Sequence, residues 1–209
     1  MTQPAAETRG EISRAHIIEV TSRILKTHGF DAVSIRKIAL ESGTTIGGIY
    51  FHFSSKEDLL IAVLRSNAER IMSAVREAVE SAPPGVGPRE RLRIAIQAQI
   101  ETLLRHGEFP VTSRVVLAHL SAGSRKLQRK GQDAYTLYWR GLLEDAQAAG
   151  LLGQEVDLTL VTFFIFGAIN WSPEWIDPKR RSPALLAEDM CAMILRGPAA
   201  HAAKPARRT

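Results

Sequence analysis

Thr44, Thr45, Gly47, Gly48, Tyr50, His52 and Lys56 lie within one short stretch of the chain. They offer two hydroxyls, two positions without a side chain, then a phenol, an imidazole and an ammonium. Small residues and hydroxyls on one helical face let a backbone approach the floor of a DNA major groove and reach base edges or thymine methyls. Tyr50, His52 and Lys56, beside the amide-rich start of the next helix, suit phosphate oxygens and would position the protein without reading sequence. Groupings for other chemistry are missing. There is no His-Glu-x-x-His, no nucleophile elbow and no phosphate loop, and His16, His28, His52, His106, His119 and His201 show no ligand-like clustering. No catalytic residue, metal or cofactor is therefore expected. An all-α enzyme is the competing reading, and a helical adaptor without a DNA role is a third. The adaptor would leave the outward Thr45, Gly47, Gly48 and Tyr50 unexplained.

The elements that must position these groups are helical throughout. Apolar residues recur at helical spacing, and no series of alternating strands bounded by hairpin turns interrupts them, so the fold is expected to be all-α. A first helix spans about 12–28, with Ile17, Val20, Ile24 and Leu25 on one face and Gly29 placed to end it in a left-handed conformation. Two short helices, about 34–41 and 45–51, flank Ser42 and Gly43 at helix-turn-helix spacing. Ile35, Ile38 and Ala39 point inward on the first and Ile46 and Ile49 on the second, which leaves Thr44, Thr45, Gly47, Gly48 and Tyr50 outward. A longer helix begins at Ser54 or Ser55, with Glu57 or Asp58 against its positive end, and runs to about Ser81. The Pro- and Gly-rich stretch 82–88 stops it. Further helices are expected over about 88–106, 111–120, 125–149, 157–171 and 182–196. A flexible basic tail follows at 199–209.

The bulk composition sets limits. The chain has 209 residues and a formal charge of +5, enough for one small domain and a larger one. Residues 1–60 hold seven Lys/Arg against seven Asp/Glu, so a DNA role rests on placement rather than on total charge. Cys191 is the single cysteine. It permits no intrachain disulfide, its apolar neighbours mark it as a buried structural thiol, and it suits a reducing cytoplasm. The first residues lack the apolar core of a signal peptide, and the most apolar run, 158–169, is shorter than the ~20 residues a membrane-spanning helix needs. A cytoplasmic protein with no membrane partner is expected.

The run through Gly29 and Phe30, SIRKIALESG and TTIGGIYFHFSSKEDLL resembles the N-terminal domain of the tetracycline-repressor (TetR) family. It does so at Ile38, Ala39, Gly43, Gly47, Tyr50, His52, Phe53, Lys56, Glu57 and Leu59, over roughly residues 12–62. The resemblance implies an all-helical homodimer of about nine helices per chain. Residues 10–54 would be the DNA reader and 55–198 the ligand-binding and dimerisation part, with the fourth helix as lever between them. By position it carries Thr44, Thr45 and Gly48 toward bases of a double-stranded operator, and Ser34, Tyr50, His52 and Lys56 toward phosphates; Arg36 and Gly47 complete the set. Ile46 departs from the polar residue often found there.

The rest of the chain argues mostly from its own residues. Helices from 88 to 149 carry apolar faces with isolated polar groups, among them Gln97, Gln99, Thr102, Arg114 and His119, as a small-molecule site would. Phe109, Arg114, Leu117, Tyr135, Tyr138, Trp139, Phe163, Phe166 and Asn170 are the candidates to line it. Arg114, within an otherwise apolar helix, calls for an anion, either an internal carboxylate or a ligand. The segment GAINWSPEWIDPKRRSP resembles a stretch in TetR-type regulators of fatty-acid and steroid breakdown, which implies an acyl-CoA effector. Arg89, Arg93, Arg125, Lys126, Lys179, Arg180 and Arg181 could supply charge for its phosphorylated head. Residues 156–170 hold more apolar surface than one chain can cover, and Leu186, Met190, Met193 and Ile194 form a second stripe. With Leu160 and Phe164 these are expected at a two-fold interface that matches a palindromic operator. The function expected is a repressor released from DNA by a small hydrophobic or acyl-CoA-like effector.

Overall fold

The computed structural model describes the backbone of residues 9–106 and 109–196 and the side chains of 14–105, 113–125 and 134–195. The expected tail at 199–209 and the side chains of Phe109 and Lys126 lie outside the described residues. Among them the fold is all-helical: α1 (Arg9–His28), α2 (Ile35–Glu41), α3 (Ile46–His52), α4 (Lys56–Glu80), α5 (Pro88–His106), α6 (Phe109–His119), α7 (Ala122–Ala148), α8 (Leu158–Trp175) and α9 (Pro183–Arg196). No helix among the described residues is long and apolar enough to cross a membrane.

Local sequence explains most boundaries. Gly29, with φ of 75°, closes α1 by donating to the Leu25 carbonyl at 3.1 Å. A residue with a Cβ adopts that backbone only with strain. Ser34 caps α2 by accepting from the Lys37 amide, and Gly43 at φ 67° turns the chain toward α3. Thr45 caps α3 by accepting from the Gly48 amide at 3.0 Å. Ser55 caps α4, accepting from the Asp58 amide at 3.1 Å, while Asp58 accepts in return from the Ser54 amide at 2.9 Å. This reciprocal pair satisfies amides that have no partner inside the helix.

α1 and α7 begin three residues before the expected positions, at Arg9 and Ala122, and the end of α8 differs most from the sequence expectation. α8 does not end at Trp171 but continues through Pro173 to Trp175. Proline removes a single amide donor, and the turn survives its loss because Ser172 is buried and the Ile176 amide still reaches the Ser172 carbonyl at 2.9 Å.

The described chain forms two compact units. The first holds residues up to Ile71 together with those between His106 and Gln132. Its core joins Ile17, Val20, Ile24, Ile38, Ile49, Phe53, Leu59 and Leu64 to Val116 of α6 and to Leu120 just after it. The second holds Met72–Arg105 and the described residues from Asp133 onward. It buries Leu92, Ile96, Ile100, Leu103, Trp139, Leu143, Ile165 and Ile169. Cys191 is buried here as well. Its thiol donates to the Arg89 carbonyl at 3.5 Å, and burial pushes its pKa up to about 11, so it is an inert packing group at neutral pH.

Candidate functional site

In the first unit, α2 and α3 bury Ile38, Ala39 and Ile49 and present the remainder outward. Ser34, Arg36, Thr45, Gly47 and Tyr50 are exposed, and Thr44, Gly48, His52 and Lys56 are half-buried. The hydroxyls of Ser34 and Thr45 accept the cap bonds described above, which leaves their hydrogens free to donate to another acceptor. Ile46 is not inward as expected. It is 49% exposed, because it is the first residue after the cap and shares a helical face with Tyr50 four positions on.

Two features of this surface went unread in the sequence. Phe51 is 82% exposed, edge-on to His52 with ring centroids 5.0 Å apart. Arg14 of α1 lies over the Phe53 ring at 5.0 Å, which brings a further cation to the Tyr50–His52 end. Lys56 is held over Phe30 at 5.1 Å. The helix-turn-helix period places Phe51 outward with Tyr50, so its exposure was legible; the approach of Arg14 was not, since it depends on how α1 packs. A surface of small residues and hydroxyls rimmed by Arg14, Arg36 and Lys56 is chemically suited to a polyanion with a groove. Tyr50→Ala is expected to weaken operator binding roughly tenfold or more while the melting temperature stays in place. A hydrogen bond to a charged group contributes about 1.5–3 kcal/mol, and the side chain is already half exposed. A titration of fluorescent operator DNA with each protein measures it.

α6 and the start of α7 belong to this same unit and are tied to it by contacts distant in sequence. Glu57, in the first turn of α4, accepts a 2.6 Å hydrogen bond from the Ser121 amide at the start of α7. That bond, with those of the Ser121 and Ser124 hydroxyls, holds its carboxyl below the usual range. His119 stacks on Phe30 with centroids 4.0 Å apart, and its Nδ1 meets the Val115 carbonyl at 2.8 Å.

The residues expected to line an effector site divide between the units. Arg114 and Leu117 are in the first. Leu117 packs against its core, and Arg114 is exposed. In the second unit Tyr135, Trp139, Phe166 and Asn170 come together. The Tyr135 and Phe166 rings stack with centroids 5.4 Å apart, and Trp139 meets Phe166 edge-on at 5.8 Å. The Tyr135 hydroxyl donates to Gln99 Oε1 at 2.6 Å, and Gln99 Nε2 donates to Asn170 Oδ1 at 3.0 Å. Tyr138 turns instead toward Arg76, whose guanidinium sits 5.2 Å from its ring centre, and Phe163 is exposed. Among the basic candidates, Arg89 pairs with Glu188, Arg93 with Glu90, Arg180 with Asp177 and Arg181 with Asp189.

Exposed apolar side chains recur along one side of α8: Leu160, Phe163, Phe164, Trp171 and Trp175, with Gly167 between them. On α9, Leu185 and Met193 are exposed, Ile194 is half-buried, and Leu186 and Met190 turn into the core of their own unit.

Comparison with known proteins finds two matched stretches. Residues 17–63 match the family model described as bacterial regulatory proteins, tetR family, and residues 85–198 the model described as tetracyclin repressor-like, C-terminal domain. The HTH-type transcriptional repressor KstR2 of Rhodococcus jostii (strain RHA1) is 24% identical over 177 residues, 84% of this chain and 85% of the relative. Among solved structures, AibR in complex with isovaleryl coenzyme A and operator DNA superposes with a TM-score of 0.70 at 24% identity, covering 87% of this chain and 97% of the other. FadR from Bacillus subtilis in complex with stearoyl-CoA superposes at 0.71 and 19% identity, covering 88% and 98%. At these identities the superpositions show a common fold.

Proposed function

The chain belongs to the TetR family of bacterial regulatory proteins, and from that premise we propose that it is a homodimeric repressor released from a palindromic operator by a small hydrophobic or acyl-CoA-like effector. Residues 10–54 form the reader in this proposal and 55–198 the ligand-binding and dimerising part, with α6 and the start of α7 packed on the reader; the role is regulatory, not catalytic. Thr44, Thr45, Gly47 and Gly48 face bases, and Ser34, Arg36, Tyr50, His52 and Lys56 face phosphates. The observation that carries the reading is the α3 surface, small and hydroxylated in its middle and cationic at its rim, on a chain whose C-terminal part matches a regulator family. The acyl-CoA assignment draws on the acyl-CoA ligands named for the AibR and FadR structures.

The direct test is fluorescence anisotropy of the purified protein with DNA upstream of its own gene, across a salt series and with octanoyl-CoA added. Binding that survives competitor DNA, at two protomers or a multiple of two per site, supports the reading. Coupling is reciprocal, so operator must weaken the effector by the factor that effector weakens operator. An operator affinity unchanged by any member of an acyl-CoA panel overturns the acyl-CoA effector.

Glu57 is the residue through which α4 and α7 stay in register in this mechanism. Its carboxylate lies at the positive end of α7, where a negative charge is favoured. Glu57→Ala is expected to leave DNA affinity without effector within about threefold and to bring the effector's influence on that affinity close to none. Anisotropy titrations with and without effector measure both. Because the folded-state pKa is depressed, the contact is complete above the ordinary carboxylate range and is lost as pH falls through the lowered value. At pH 7 the charged form is present throughout.

A further inference from the structure

The α3 surface is short of the usual side chains for reading bases. From Thr44 to His52 the chain holds no Asn, Gln, Lys or Arg, so α3 cannot grip adenine or guanine through paired hydrogen bonds. The Thr44 and Thr45 hydroxyls suit either donors or acceptors, and Gly47 and Gly48 bring no side chain. What the surface does offer is apolar. Ile46 is 49% exposed and Phe51 82%, while Ile49 and Phe53 occupy the inward side. Ile46 stands one residue before Gly47 and Phe51 one turn after it, so the two flank the place where the backbone lies open. A single exposed apolar residue is ordinary. Two of them beside an open backbone, rimmed by Arg14, Arg36 and Lys56, fit a polyanion that carries apolar groups within its groove. On the major-groove floor of DNA that group is the 5-methyl of thymine.

We propose that Ile46 and Phe51 are specificity-determining residues that cover the 5-methyl groups of thymines in the operator's major groove. They stand five residues apart, about 7.5 Å along the helix axis, against about 3.4 Å between successive bases, so they address different base pairs. In the free protein water covers both side chains, and contact with a methyl removes apolar surface of both partners from water. A guanine or adenine in place of thymine offers no methyl there, and cytosine presents a bare ring carbon with an amino donor beside it. Thymine is thus preferred through its methyl and not through its carbonyl, which separates the role of Ile46 and Phe51 from that of the Thr44 and Thr45 hydroxyls. The inference rests on the operator-binding reading and adds to it two residues and the base they select.

The test starts from duplexes that the full-length protein selects from a random-sequence pool. Each thymine of the selected duplex is replaced in turn by deoxyuridine, which removes the methyl and keeps every hydrogen-bonding group. At two positions per half-site affinity is expected to fall about fourfold, and about fifteenfold when the same position is changed in both half-sites. Ile46→Ala is expected to erase the dependence on the methyl at one of these positions and Phe51→Ala at the other, each leaving the second position's dependence in place. That pairing excludes an effect of the methyl on DNA shape alone, which would persist in both variants. Cytosine at the Ile46 position is expected to weaken binding, and 5-methylcytosine there to recover about fourfold of it. Both side chains are exposed in the free protein, so the circular dichroism of the variants is expected to match that of the unaltered chain. Deoxyuridine tolerated at every position overturns the proposal, and a methyl dependence unchanged in Ile46→Ala or Phe51→Ala overturns it for that residue. If no duplex is enriched, the operator-binding reading fails and this inference with it. If one is enriched and bound alike with and without its methyls, this inference alone falls.

Discussion

Phe164→Asp is expected to leave a folded monomer of 23.0 kDa in solution, against a dimer for the unaltered chain, and to lower operator affinity at least a hundredfold. Phe164 is 63% exposed on α8 among Leu160, Phe163, Trp171 and Trp175. A charge there meets water in the single chain and disturbs no core. Covering one such large side chain contributes about 1.5–3 kcal/mol, so a stripe of five outweighs any set of exposed ion pairs, each about 0–1 kcal/mol. In a two-fold interface the substitution occurs twice, and two unpaired carboxylates would have to be desolvated together. The loss of DNA affinity follows from geometry. Two linked readers bind the second half-site at an effective concentration of about millimolar, and a monomer forgoes that advantage. Light scattering after size exclusion and an operator titration measure the two effects. A variant that remains dimeric would remove α8 from the interface.

Gly47→Ala separates stability from function in the opposite direction. Gly47 lies in α3 with no positive φ, and an added Cβ would meet only Thr45 Oγ1 at 3.7 Å, an ordinary contact. Helical glycine is less stable than alanine by about 0.5–1 kcal/mol, so the melting temperature is expected to rise by about 1–4 °C for a chain of this size. Operator affinity is expected to fall at least tenfold, because the methyl stands on the face proposed to approach the groove floor and is present in both readers. Gly48 behaves differently. Its added Cβ would collide with Thr44 Oγ1, which forces that side chain to rotate, so a loss of binding there would not distinguish space at the groove from a displaced Thr44. Thermal unfolding and an operator titration of Gly47→Ala decide the matter. A variant that gains stability and keeps its affinity would remove Gly47 from close contact with DNA.

The helix-turn-helix was legible before any coordinates because its determinants are local. Ser34 and Thr45 act within three residues, Gly29 and Gly43 through their own φ, and the inward Ile38, Ala39 and Ile49 through helical period. The same locality made the exposed side of α8 readable as excess apolar surface. It misled at the end of α8, expected at Trp171, because the packing around Ser172 that carries the helix through Pro173 is not local. It misled again at Ile46, where apolar character was taken for burial although the residue shares its face with Tyr50.

The amino-acid sequence by itself determined the helices, their caps and turns, and the face of α3 left open, since each depends on residues within about one turn of one another. Tertiary structure decided which polar groups meet. Glu57 reaches Ser121, Tyr135 reaches Gln99 and Gln99 reaches Asn170 across separations of 64, 36 and 71 residues. It likewise decided that Arg114 is exposed while Tyr135 stacks on Phe166. Helical period states which residues share a face, but the partner of that face depends on the rotation and offset of two packed helices, and those follow from the summed fit of many side chains rather than from any spacing along the chain.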